Sequence, residues 1–216
     1  DIAVDRNQSL LVLDRGRGSI LAFDRAGRFL AARPFQGSAE AEARGADARF
    51  VLDPFGTLWL LGSRARDLIP LDDRLLPARA TRFLSPEDSI GEPRLAAIQP
   101  GGESWVYDGA RQALLRFAAS GRLRFRIHLG SAVSEVASLS DLALDADGLL
   151  YAADQRGQRI LVFDTDGSLV ATRVLGGERN RFSPVALAIG PGGQVAVAGA
   201  ERAEIQVLAP VREAKP

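Results

Sequence analysis

Apolar residues along this chain come in short runs separated by turns rich in Asp, Gly and Pro. The clearest stretch, Asp141–Ala186, reads as an apolar run, an Asp/Gly turn, a second run ending in Asp154, a polar turn, a third run ending in Phe163-Asp164, another turn and a fourth run. Runs this short, bounded by turn residues, predict β-strands, not helices. The segment Leu123–Leu129 alternates plainly: Phe125, Ile127 and Leu129 share one face, and Arg124, Arg126 and His128 the other. That is a strand with one side in solvent. Leu142, Leu144 and Leu150 are typical of the buried inner strands.

The same pattern recurs five times. Val4, Leu52, Ile98, Leu144 and Ile189 mark the first strand, and Phe23, Leu71, Phe117, Phe163 and Leu208 the third; both series step by 48, 46, 46 and 45 residues. Two registers with one spacing signal a repeat architecture, and four short strands per repeat select a β-propeller over a solenoid. The predicted fold is therefore all-β, a propeller of four-stranded antiparallel blades. It spans residues 1–209, with repeats at about 1–49, 50–94, 95–140, 141–185 and 186–209, followed by a tail at 210–216. The last repeat ends after its third strand, so the fifth blade is expected to lack its outer strand. Completion by an upstream segment or by a partner's strand, and an open ring, are the readings of that edge.

The turns carry residues that tight hairpins need, in Asp145-Ala-Asp147-Gly148, Asp164-Thr-Asp166-Gly167, Pro100-Gly-Gly102, Pro191-Gly-Gly193 and Asp53-Pro-Phe-Gly56. Glycine supplies positive φ, and Asp bonds back to the turn backbone. Polar links at Gly37–Arg49, Ser85–Arg94, Ser131–Ser140 and Gly176–Pro184 fit crossovers from an outer strand to the next inner strand.

Three segments carry a family signature. Leu149–Gly167 (LLYAADQRGQRILVFDTDG), Leu10–Gly27 (LLVLDRGRGSILAFDRAG) and Trp105–Gly121 (WVYDGARQALLRFAASG) follow the order strand, Asp, polar turn, strand, Asp or Gly turn. The chain resembles the NHL-repeat β-propeller family over nearly its whole length. The fifth copy, Val195–Leu208, lacks the Asp, and the second, Leu58–Leu71, is the most degenerate. The resemblance implies a propeller used mostly as a binding platform, and it says little of activity. Propeller amidating lyases of similar repeat type rely on histidines that this chain does not have. Gluconolactonase-like hydrolases use Glu, Asn and Asp on a central metal, and here the only asparagines are Asn7 and Asn180.

Composition narrows the classes. The 27 basic and 27 acidic residues cancel, so no global field draws the chain to nucleic acid or an anionic membrane. No stretch is apolar enough for a membrane span. There is no Cys, which removes disulfides, thiol chemistry and Cys-based metal sites. There is no Met, and no signal peptide stands at the start; together with the absent Cys this favours a processed, periplasmic or extracellular protein over a cytoplasmic one.

Candidate chemistry is sparse. His128, the only histidine, has charged neighbours and reads as a surface residue. The turns at Asp145–Gly148 and Asp164–Gly167 offer two acids each, short of a calcium loop's ligand set. Asp14, Asp108 and Asp154 close three second strands and read as caps of the turn backbone. Trp59, Trp105 and Tyr151 share one repeat position and read as blade-packing residues. No nucleophile elbow, P-loop or dinucleotide fingerprint is present. One pattern remains. The turn between second and third strands carries Arg in every repeat: Arg15 and Arg17, Arg64 and Arg66, Arg111, Arg156 and Arg159, and Arg202. Propeller geometry would place them around one mouth of the channel, as a site for an acidic partner segment, phosphate or nucleic-acid backbone.

The sequence thus predicts a non-catalytic interaction module, an accessory subunit of an exported assembly, with a protein partner and no cofactor or catalytic residues assigned. A propeller hydrolase or lyase with a carboxylate-held channel metal is the alternative, and an RNA-binding platform the third.

Overall fold

A computed structural model of the chain describes all residues except 6, 35–47, 54–55, 63–66, 73, 77–80, 83–89, 100, 134–136, 177–179, 191, 202–203 and 212–216. The architecture is all-β, with five small antiparallel sheets, each formed by consecutive strands. The first sheet holds β1 (Ile2–Val4), β2 (Leu10–Asp14), β3 (Ser19–Phe23) and β4 (Phe29–Pro34). The second holds β5 (Ala48–Leu52), β6 (Leu58–Gly62), β7 (Asp67–Pro70) and the short β8 (Thr81–Arg82). The third holds β9 (Pro93–Ile98), β10 (Ser104–Asp108), β11 (Ala113–Phe117) and β12 (Leu123–His128), followed by a four-residue helix, α1 (Leu129–Ala132). The fourth holds β13 (Leu139–Leu144), β14 (Leu150–Asp154), β15 (Arg159–Phe163) and β16 (Leu169–Val174). The fifth has three strands, β17 (Pro184–Ile189), β18 (Val195–Gly199) and β19 (Ile205–Leu208).

These are the four-stranded blades that the repeat predicts, and the fifth stops at its third strand as expected. Every first-strand marker, Val4, Leu52, Ile98, Leu144 and Ile189, closes its strand. The third-strand markers do the same, except that Leu71 lies one residue past β7. The strand expected over Leu123–Leu129 ends one residue earlier, because Leu129 turns inward, fully buried, to start α1. Leu142 and Leu150 are buried, while Leu144 is half-buried at its strand end.

The chain forms two compact units, Asp1–Arg111 with Leu115–Arg126, and Gln112–Leu114 with Ile127–Pro216. In the first, Leu11, Leu13 and Ile20 of the first blade pack on Leu58, Leu60, Ile69 and Leu71 of the second. Val51, Leu61 and Leu68 of the second blade meet Ile98 of the third. In the second unit, Tyr151, Ile160 and Val162 of the fourth blade pack on Val195 and Val197 of the fifth. Each such fully buried aliphatic side chain contributes about 1.5–3 kcal/mol.

A polar device repeats inside each unit. Asp141 Oδ2 accepts the backbone N–H of Leu187 at 2.7 Å, and Asp1 Oδ2 that of Phe50 at 2.9 Å. Asp1 and Asp141 stand at equivalent repeat positions, as do Phe50 and Leu187. Each carboxylate thus ties the first strand of one blade to the first strand of the next, a bond that apolar packing alone would not register.

Candidate functional site

The Arg-bearing turns are organised by the carboxylate that precedes them. Asp154 ends β14 fully buried. Its Oδ1 accepts the N–H groups of Ser138 at 2.9 Å and Gly157 at 3.1 Å, and its Oδ2 accepts Arg159 Nε at 2.8 Å. A Cβ at Gly157 would run into that same Oδ2 and into Arg159 Nε, so a side chain there would have to displace the Asp154–Arg159 pair. Asp108 repeats the arrangement at the end of β10. It is also fully buried and accepts Gly91 N at 2.7 Å, Glu92 N at 3.0 Å, Ala110 N at 3.1 Å and Arg111 Nη1 at 3.1 Å. Burial pushes the Asp108 carboxyl up, but the N–H groups of Gly91 and Glu92 and the Arg111 guanidinium outweigh it, and the group titrates below the ordinary aspartate range. Asp14 is the looser copy: its Oδ1 accepts Arg17 N at 3.0 Å and its Oδ2 lies 3.8 Å from Arg17 Nη1.

The carboxylates therefore act as turn caps that also pin the entry to the blade's first strand. The fifth repeat keeps the role with a different residue. Glu201 accepts Ser183 N at 2.8 Å and Ser183 Oγ, and Ser183 stands where Ser138 stands one repeat earlier. The Ser183 hydroxyl and N–H hold the Glu201 carboxyl below its ordinary range. Nothing in the spacing of Val195–Leu208 points to a Glu here, because its longer side chain starts two residues beyond the strand end.

The arginines divide into two kinds. Arg159 is half-buried, with its side chain 13% exposed against Asp154, and Arg111 is bound to a fully buried Asp108. These two brace their turns. Arg15, Arg17 and Arg156 are exposed, Arg17 with 81% of its side chain in solvent. Arg64, Arg66 and Arg202 lie outside the described residues. Of the five described arginines, Arg15, Arg17, Arg111 and Arg156 lie on the turns and Arg159 opens β15; three face solvent and two engage the capping carboxylates.

The three aromatic positions are structural. Trp105 and Tyr151 are buried and Trp59 is half-buried. Trp59 Nε1 donates to Asp53 Oδ2 at 3.1 Å, and Tyr151 Oη donates to Asp145 Oδ2 at 3.1 Å. In the third repeat Gln99 replaces the Asp and accepts from Arg116 Nη2 at 3.2 Å; Trp105 Nε1 is buried with no hydrogen-bond partner among the described residues. Arg116 lies over the Trp105 ring at 5.7 Å, and Phe125 meets it edge-on at 5.5 Å. Burial and the Asp145 charge push the Tyr151 phenol up to about 12.

The Asp/Gly turns close hairpins. Asp145 Oδ1 accepts Asp147 N and Leu149 N, and Asp164 Oδ1 accepts Asp166 N and Ser168 N. His128 is exposed at the end of β12. Among the described residues, no three His, Cys, Asp or Glu side chains come together as metal ligands. No helix among them is long and apolar enough to cross a membrane.

With this geometry in hand, the solved structures supply the wider frame. Virginiamycin B lyase from Staphylococcus aureus matches with a TM-score of 0.62 at 14% identity, over 96% of this chain and 68% of that one. A calcium-binding protein, regucalcin, from Agrobacterium tumefaciens matches with a TM-score of 0.61 at 16% identity, over 93% and 67%. The Pan2 WD40 domain of Neurospora crassa matches with a TM-score of 0.60 at 14% identity, over 95% and 59%. The chain shares the β-propeller fold with these proteins and spans about two thirds of their length or less. At such identities the similarity carries the fold alone. No family model matches the sequence, and no curated protein matches it.

Proposed function

We propose that this chain is a non-catalytic interaction module that takes an acidic segment of a partner protein on its Arg-bearing turns. The observation that carries the reading is the division of labour within those turns. Buried Asp108 and Asp154, with Arg111 and Arg159, fix the turn backbone, while Arg15, Arg17 and Arg156 project into solvent. A turn held by its own cap presents guanidinium groups without an ordering cost on binding, and a guanidinium meets a carboxylate with two parallel hydrogen bonds. The resemblance of Leu149–Gly167 to NHL repeats agrees with a binding platform, and an exported complex is the setting that the composition suggests. Among the described residues β19 is the last strand of its sheet, with Ile205 and Val207 each 68% exposed, and its edge is a place for a partner strand to add.

The test separates the two kinds of arginine. A glutamate-rich peptide is titrated against the wild type, Arg15→Ala/Arg17→Ala, Arg156→Ala and Arg111→Ala. The expected result is a several-fold loss of affinity in the first two variants with unchanged denaturation midpoints. Arg111→Ala should lower the midpoint. Unchanged affinity in the exposed-arginine variants would remove these turns as the binding surface.

A further inference from the structure

Each blade has two apolar faces, and the core clusters show how they are used. In the first unit the first blade turns Leu11, Leu13 and Ile20 toward Leu58, Leu60 and Ile69 of the second. The second blade turns Leu61 and Leu68 toward Ile98 of the third. In the second unit the fourth blade turns Tyr151, Ile160 and Val162 toward Val195 and Val197 of the fifth. One rule covers these contacts. A blade offers its successor a trailing face, which holds the second and fourth residues of its second strand. The successor answers with a leading face, which holds the first and third.

Two such faces stay open among the described residues. On the first blade the leading face carries Ile2, Val4 and Leu10, which are 68%, 54% and 36% exposed. On the fifth blade the trailing face carries Ile205 and Val207, each 68% exposed, paired with Ala198 and Ala196. Their equivalents on the fourth blade, Ile160 and Val162, are fully buried. Each of these two blades keeps its other face buried, through Leu11 and Ile20 on the first and Val195 and Val197 on the fifth. The exposure therefore belongs to a face and not to a frayed sheet, and exposed apolar patches of this kind mark association surfaces.

We propose that these two faces meet between copies of this chain, the trailing face of the fifth blade in one copy packing on the leading face of the first blade in the next. Complementarity names the second copy as the occupant. Ile205 and Val207 repeat, in kind and register, the Ile160 and Val162 that the fourth blade packs on its neighbour. Ile2, Val4 and Leu10 occupy the repeat positions of Leu187, Ile189 and Val195, which receive that isoleucine and valine. The chain thus carries one uncovered face of each kind. Such a contact is heterologous, so it leaves a face free on each copy and propagates. It also lacks the carboxylate tie, because Ala186 stands where Asp1 and Asp141 stand in their blades. Apolar packing alone holds it, and salt should not dissolve it.

The test is sedimentation velocity on the full chain across a range of concentrations, at low and high salt. The mass of the wild type should rise with concentration past the dimer at both salts. Ile205→Lys/Val207→Lys closes the trailing face and Ile2→Lys/Val4→Lys the leading face. Each variant alone should be a monomer, and an equimolar mixture of the two should give a dimer and nothing larger, since one intact face of each kind remains. All four side chains are more than half exposed, so both variants should keep the wild-type circular dichroism. Amide hydrogen exchange on the wild type is the second readout, and exchange at Ile2–Val4 and Ile205–Leu208 should slow as concentration rises. A wild type that stays monomeric overturns the proposal and leaves the two faces to blades of another polypeptide. Association that survives in either variant alone, or a mixture that stays monomeric, overturns it as well. If a variant misfolds, sedimentation and exchange of the wild type decide.

Discussion

In the fourth repeat Asp154 is fully buried and holds Ser138, Gly157 and Arg159, and Tyr151 donates its hydroxyl to Asp145. In the first repeat the equivalent Asp14 holds only Arg17, and Leu11 stands where Tyr151 would meet the carboxylate of Asp5. The register is the same and the strands superpose residue for residue in pairing, Asp14 on Ser19 and Asp154 on Arg159. What differs is where the polar groups point their bonds. The fourth repeat commits Asp154 and Arg159 to bracing its own turn and leaves Arg156 in solvent. The first leaves both Arg15 and Arg17 in solvent. Two copies of one motif thus differ in how firmly the turn is braced, while both leave arginines in solvent.

The largest break in that contrast is Asp154→Ala. Removing one partner of a buried ion pair costs about 3–5 kcal/mol, because the remaining charge and the released N–H groups stay buried. A urea titration should show a midpoint shift of that size, and Arg159 is what makes it large. A loss below about 1 kcal/mol would mean that water replaces the carboxylate and that the turn is less firmly braced than its geometry.

How much of this was legible in the sequence follows the same division. Strand number, register and the truncated fifth sheet are carried by apolar runs and by glycines that turns require, such as Gly148 and Gly167 at φ 87° and 86°; these are properties of single positions and survive reading in one dimension. The shortness of β8 and the helix α1 were not. The arginines were read as one class, yet Arg111 and Arg159 belong with Asp108 and Asp154. Their distinction lies in the partner, whose burial single positions do not reveal: Arg159 Nε and Arg111 Nη1 lie 2.8 and 3.1 Å from fully buried carboxylates, whereas Arg17 Nη1 lies 3.8 Å from an Asp14 that is partly in solvent. Glu201 was missed for a related reason. A side chain one methylene longer reaches the same backbone from a different position, and the motif's spacing no longer marks it.

A smaller effect sharpens the comparison on the other side of the blade. Tyr151→Phe keeps the packing of a nearly fully buried ring and deletes its bond to Asp145, so it should cost about 1 kcal/mol. The same contact has a pH signature. The Tyr151 phenol is held up at about 12 by burial first and by the Asp145 charge second. The folded state therefore keeps a proton that the unfolded chain releases near the ordinary tyrosine pKa of about 10. The sign follows: stability is full below about pH 10 and falls as pH rises toward 12. Absorbance at the tyrosinate band should show a step near pH 12 in the wild type that is absent in Tyr151→Phe.

The smallest effect bears most directly on function. Arg17→Ala removes a guanidinium that is 81% exposed and 3.8 Å from Asp14, and exposed pairs of this kind are worth about 0–1 kcal/mol, commonly nothing measurable. Its denaturation midpoint should match the wild type within error, in contrast to Arg159→Ala, which strips a buried carboxylate of its cation. If Arg17→Ala proves as costly as Arg159→Ala, then the first repeat is braced like the fourth, and its arginines are committed to the fold, not left for a partner. If it is silent in stability, the contrast between the two repeats stands, and the exposed guanidinium is a group that the fold does not need.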